Sequence, residues 1–101
     1  MRLFTQYELP AALVYVQEGN QALHLFDWFA DSKAPKPFRN GGQFGHLLDQ
    51  DEQRLVATAR SLGVRVIKVA NTKNRPLWQH IDLVGRPLQR AISLCAQDEE
   101  L

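Results

Sequence analysis

Cysteine is almost missing from this chain. One residue, Cys95, in 101 leaves no partner for an internal disulfide and fits a reducing compartment, the cytoplasm. Long hydrophobic runs are missing too. The apolar stretches are a few residues each, too short to span a membrane, and Met1-Arg2-Leu3-Phe4-Thr5-Gln6 lacks the apolar core and small-residue cleavage site of a signal peptide. There is no Gly-x-x-x-x-Gly-Lys-Ser/Thr phosphate loop, no His-Glu-x-x-His, no paired Cys-x-x-Cys and no Gly-x-Ser-x-Gly. These absences argue against acyl-transfer nucleophiles and against the compact zinc signatures. Internal repeats and low-complexity segments are also absent. What remains is an ordinary globular composition, 45% hydrophobic and 23% charged, in one domain of a size that carries its own core.

The net charge is only +1, but the charges are segregated. Between Arg60 and Arg90 lie Arg60, Arg65, Lys68, Lys73, Arg75, Arg86 and Arg90 against a single acid, Asp82, whereas the end of the chain, Asp98-Glu99-Glu100, is acidic. The asymmetry suggests an anionic partner for the C-terminal half, a small molecule first and nucleic acid second. Asp49, Asp51 and Glu52 disfavour a broad electrostatic footprint. A basic face that is simply solvated is the plainer alternative.

The hydrophobic pattern predicts an α/β (or α+β) domain: a small mixed sheet with an N-terminal β-hairpin and two main helices, about 50–62 and 86–97, packed on it. Leu3 to Tyr7 reads as an edge strand. Ala12 to Gln17 and Ala22 to Phe29, joined through Gly19-Asn20, read as the hairpin. In the second of these, Leu23 and Leu25 share one face and His24, Phe26 and Trp28 the other, which makes His24 a structural histidine. Asp31 to Gly45, with its prolines and glycines, reads as a long loop. Asp49 with Glu52 predicts a capped helix that Leu55, Val56, Ala59 and Leu62 make amphipathic and Gly63 ends. Val64 to Val69 alternates like a strand, giving a β-α-β crossover. Pro87 opens a last helix on the stripe Leu88, Ala91, Ile92, Cys95 and Ala96, and residues 98–101 form a fraying acidic tail.

The order of Phe29-Ala30-Asp31, Pro37-Phe38, Gly45-His46-Leu47-Leu48-Asp49, Leu62-Gly63-Val64, His80-Ile81-Asp82-Leu83 and Ala91-Ile92 resembles the domain of unknown function 4031 family of small bacterial and phage proteins. The resemblance covers about residues 29–96. It departs where the family's Ser-Lys-Arg after His-x-Asp gives way to Arg86-Pro87-Leu88, and where a closing strand would follow the last helix. The family carries no settled activity, so the resemblance implies a set of residues and not a reaction.

Both readings converge on His46, His80, Asp82 and Asp31 as the candidate catalytic set. An extended His80-Ile81-Asp82 turns its two polar side chains to one side. Imidazole and carboxylate are ligand types for a divalent metal, with His46, His80 and Asp82 the candidate ligands, or they can run acid–base chemistry without one. Lys33, Lys73, Arg75 and Arg90 are the candidates for binding a phosphate or carboxylate. Each residue also has a plainer role: Asp82 as a helix cap, His80 packed on Trp78, His46 anchoring the helix after it, Asp31 shaping a turn. The function expected is an enzyme or ligand-binding protein with a His/Asp pocket for a phosphorylated or nucleotide-like substrate. The alternatives are a nucleic-acid module using the basic 60–90 half with Trp78 as a stacking residue, and a homodimeric interaction protein that uses the N-terminal hairpin through Tyr15, Phe26 and Trp28.

Overall fold

The computed structural model describes residues 1–28, 42–70 and 78–100. Four strands form one mixed sheet in the order β1-β2-β3-β4. β1 (Arg2–Phe4) runs parallel to β2 (Ala22–Trp28), with Leu3 beside Leu23. β2 is antiparallel to β3 (Gly42–Leu48), setting His24 opposite His46, and β3 is antiparallel to β4 (His80–Leu83), setting His46 opposite Asp82. The helices are α1 (Leu9–Gln17), α2 (Glu52–Ser61) and α3 (Gly85–Glu100). The radius of gyration, 13.2 Å, is that of one folded domain, about 13 Å for 100 residues.

Strand alternation divides the sheet into two unlike faces. On one face Leu23, Leu47, Ile81 and Leu83 are buried under Leu55, Ala59 and Leu62 of the α2 region and Leu88, Ala91 and Cys95 of α3. Each fully buried leucine contributes on the order of 2 kcal/mol, so this layer supplies most of the driving force. Gly45 sits in its middle, where a Cβ would lie 2.9 Å from the Leu23 and Leu88 methyls. The missing side chain lets α3 come down onto β3. On the other face Ala12 and Val16 of α1 form a smaller core with Phe4, Ala22 and Leu48, with Tyr15 packed against it.

The mixed sheet and the two main helices match the sequence pattern. The N-terminal hairpin does not form. Residues 9–17 are helical, and β1-α1-β2 is instead a parallel crossover unit. The β-branched and aromatic run Ala12 to Gln17 is overridden by what precedes it: Glu8 Oε1 accepts a hydrogen bond from the Thr5 amide at 2.9 Å, and Pro10 stands in the first helical turn. The proposed dimer surface changes with it, since Tyr15 now lies on α1, half-buried with its ring 5.6 Å from Phe4.

The expected glycine loop ends earlier than Gly45, because Gly42 onward is β3. Val64 to Val69 is not a strand. Val64, Ile67 and Val69 pack on the core and Val66 is exposed, and the segment reaches the sheet through one antiparallel bridge, Ala70 to His80. The crossover expected around α2 therefore fails, for β3 and β4 are antiparallel. Asp51, not Asp49, caps α2 by accepting from the Arg54 amide at 3.1 Å. Gly63, with φ +94°, does end the helix. Asp98, assigned to the fraying tail, is helical and takes the N-terminal ammonium at 3.1 Å.

Candidate functional site

The sheet face that α1 covers at one end carries the histidines. Cross-strand pairing puts His24, His46 and Asp82 in one row and Leu48 and His80 in the next. Nε2 of His46 lies 3.2 Å from Asp82 Oδ1, and Nε2 of His80 lies 3.5 Å from the same oxygen. The two imidazoles are 4.3 Å apart between centroids, and one ligand atom from each of the three residues falls within 4.8 Å of the others. Tetrahedral metal–ligand bonds of about 2.0–2.2 Å would set ligand atoms about 3.3–3.6 Å apart. The two separations from Asp82 Oδ1, 3.2 and 3.5 Å, lie close to that spacing, and the third ligand atom pair falls within 4.8 Å.

His80 is the most firmly held of the three. Its Nδ1 lies 2.6 Å from the Trp78 carbonyl oxygen, which can only accept, so Nδ1 carries the proton. Its amide and carbonyl pair with Ala70 at 2.9 and 2.8 Å. The residue before it, Gln79, is buried and donates to the Asp49 carbonyl at 2.9 Å. In the neutral imidazole this arrangement leaves a lone pair on Nε2, aimed at a carboxylate oxygen. Burial and the neighbouring His80 push His46 down to about 4, with Asp82 opposing the shift. At neutral pH His46 is thus uncharged, and its contact with Asp82 is no ordinary ion pair. Two imidazole nitrogens and one carboxylate oxygen converge there.

Beside His46 in the same row, His24 is fully buried, and among the described residues neither ring nitrogen has a hydrogen-bond partner. Its ring stands edge-on to Phe26 at 4.2 Å and 6.5 Å from His46. Burial lowers its basicity, opposed by the Gln6 and Thr5 backbone and by Glu8.

Of the sequence candidates, His46, His80 and Asp82 come together. Asp31, Lys33, Lys73 and Arg75 lie outside the described residues. Arg90 is not part of the cluster. It sits on α3, across the sheet, where its Nη1 donates to the Leu62 carbonyl at 2.9 Å and closes the C-terminal end of α2. His46 lies within a strand and anchors no helix, and Asp82 on β4 caps none. The Trp78 carbonyl gave no sequence signal, since a backbone oxygen has no residue type. The place of Phe26 and Phe44 beside His46 depended on a strand register hidden by the glycines of β3. Asp49, read as a cap, is a buried carboxylate held by Arg54 at 2.6 and 2.7 Å, by Gln21 at 3.1 Å and by the Asp51 amide at 2.9 Å.

Comparison of the chain with protein-family models, with curated proteins and with solved structures finds no match. No described helix is long and apolar enough to cross a membrane.

Proposed function

We propose that the chain is an enzyme or ligand-binding protein in which His46, His80 and Asp82 hold a divalent transition-metal ion. One observation carries the reading: three ligand atoms lie within 4.8 Å of one another, one of them on an imidazole whose other nitrogen is tied to a backbone carbonyl at 2.6 Å. A metal-bound histidine is fixed in this way by a partner on its second nitrogen. Two histidines and one carboxylate leave coordination positions open, as catalytic sites require and closed structural sites do not. When bound, the ion would act as a Lewis acid towards an anionic oxygen or lower the pKa of a bound water.

The substrate class that suits such a centre is a phosphorylated or nucleotide-like anion. Asp82, 59% exposed at its side chain, marks the side from which it would enter. The three ligands are also residues through which the sequence resembles the domain of unknown function 4031 family, and we propose membership of that family and, with it, a bacterial or phage origin. The single buried Cys95 accords with a cytoplasmic protein.

The test is metal analysis of untagged protein purified without chelator, followed by titration with Zn²⁺, Mn²⁺ and Fe²⁺. About one equivalent per chain is expected, lost in His80→Ala and Asp82→Ala. A wild-type protein that is metal-free and indifferent to all three ions would remove the reading.

A further inference from the structure

The metal reading calls for an anionic ligand but leaves its negative charge without a cation from the chain. Arg90 closes α2 on the far side of the sheet, and Lys33, Lys73 and Arg75 lie outside the described residues. Arg2 shares the histidine face, but on β1 at the opposite edge from β4, with its guanidinium over Phe4 and Tyr15 at 5.4 and 5.9 Å. The segment that leads to Ala70 supplies another cation. Ala70 exchanges both backbone hydrogen bonds with His80, at 2.8 and 2.9 Å, in an antiparallel bridge. Residues opposed in this way turn their side chains to the same face, so Ala70 shares the face of His80. Counting back from Ala70 and forward from His80 brings Lys68 alongside Asp82.

Burial agrees with that count. Ile67 and Val69 pack on the core cluster that holds Ile81 and Leu83, whereas Lys68 and Ala70 are exposed. The alternation turns Lys68 away from the core, to the side of His46, His80 and Asp82. The ion-pair contacts of Asp82 are to His46 and His80, and among the described residues no carboxylate is paired with Lys68. We propose, on the basis of the metal reading, that Lys68 binds the phosphoryl group of the ligand, its ammonium on one oxygen of an anion whose other oxygen is on the ion. The charges match. A divalent ion offset by the Asp82 carboxylate leaves one positive charge and Lys68 adds a second, while a phosphate monoester carries about two negative charges at pH 7. Lysine suits an open edge, because its flexible stem carries a point charge to the anion without a fixed geometry.

The test uses untagged protein loaded with Co²⁺, whose visible spectrum reports ion and anion binding separately from turnover. Inorganic phosphate is titrated into the wild type, Lys68→Gln, Lys68→Arg and Arg65→Gln. Lys68→Gln should bind phosphate about tenfold more weakly, the range of one charge-assisted hydrogen bond, with Co²⁺ affinity unchanged. Lys68→Arg keeps the charge and should stay within about threefold of the wild type. Arg65 is exposed three residues earlier on the same segment. Arg65→Gln removes an equal charge without the contact and should cost less than about twofold. Undiminished phosphate affinity in Lys68→Gln, an equal loss in Arg65→Gln or Lys68→Arg, or a loss of Co²⁺ along with phosphate overturns the inference and leaves the metal reading standing. So does a Co²⁺-loaded wild type indifferent to phosphate. Failure of the wild type to bind Co²⁺ removes both.

Discussion

Two groups of polar side chains lie close together in the chain's middle strands, and they are built on opposite principles. At the end of β3, the buried Asp49 carboxylate accepts from Arg54 twice, from Gln21 and from the Asp51 amide, while Gln21 also reaches Thr58 at 3.0 Å. Gln79 closes the set by donating to the Asp49 and Gln50 carbonyls. Each oxygen of the Asp49 carboxylate takes two donors. Three residues earlier on the same strand, His46 and His80 both meet one oxygen of Asp82, His80 presenting an Nε2 that its Nδ1–Trp78 bond leaves as an acceptor when the ring is neutral. Among the described residues neither nitrogen of His24, beside His46, has a hydrogen-bond partner. A fully satisfied network rigidifies a fold, whereas an under-satisfied one marks where a ligand, ion or proton belongs. The contrast separates structure from function more sharply than burial alone.

The largest expected effect falls on the satisfied group. Asp49→Ala leaves Arg54, Gln21 and an amide without their acceptor, and breaking such a pair from one side costs roughly 3 kcal/mol. Denaturant unfolding should show the midpoint falling with the slope unchanged. A loss under about 1 kcal/mol would mean that water replaces the carboxylate, and the comparison would lose its first term. Asp82→Ala should do the reverse. Its side chain is 59% exposed, so stability should move by less than about 0.5 kcal/mol, while affinity for Zn²⁺ or Co²⁺ falls at least about 100-fold, or some 2.7 kcal/mol. Calorimetric titration of the metal beside thermal unfolding of the apoprotein checks both halves.

Acid should distinguish the two groups without any mutation. His24 and His46 are both shifted below the ordinary imidazole value by burial, His46 to about 4. The fold therefore favours their neutral forms. Below about pH 6.5 the unfolded chain takes up protons that the folded chain refuses, so stability is present at neutral pH and drains as pH falls from about 6.5 towards 4. With His46 about a quarter exposed at its side chain, a loss of order 1–3 kcal/mol over that window is expected for the metal-free protein. Unfolding followed at pH 7, 6, 5 and 4.5 should give a declining series. A flat one would show that the histidine row titrates as in water.

Much of the fold was legible, and the failures share a cause. α2 and α3 carried strong helical periodicity, stop residues such as Gly63 and a proline in the opening turn, and these signals are local. β3 was misread because Gly42 and Gly45 look like loop residues. Gly45 is there for a distant reason, the approach of Leu88. α1 was misread because Val14, Tyr15 and Val16 favour strands while the helix-starting information sat upstream, in Thr5, Glu8 and Pro10. The site followed the same rule. His80-x-Asp82 was visible as a spacing, and His46 entered through a resemblance, but the register that places His46 opposite Asp82 is a property of the sheet. Arg90 was misassigned because its position after the motif was visible and its side of the sheet was not.

The smallest expected effect tests the most unusual residue. His24 is 0% exposed and among the described residues neither of its nitrogens is hydrogen-bonded, and a buried polar group without a partner costs about 1–3 kcal/mol relative to an apolar one of similar shape. His24→Leu should therefore stabilise the apoprotein, by about 1 kcal/mol once imperfect packing against Phe26 offsets part of the gain. It should also flatten the acid decline, because one of the two protons refused by the fold no longer exists. Since His24 lies two strands across from Asp82, with His46 between them, Co²⁺ affinity should not change. A destabilisation greater than about 1 kcal/mol would mean that water or the Thr5–Gln6 backbone satisfies the imidazole, which would place His24 with the Asp49 network.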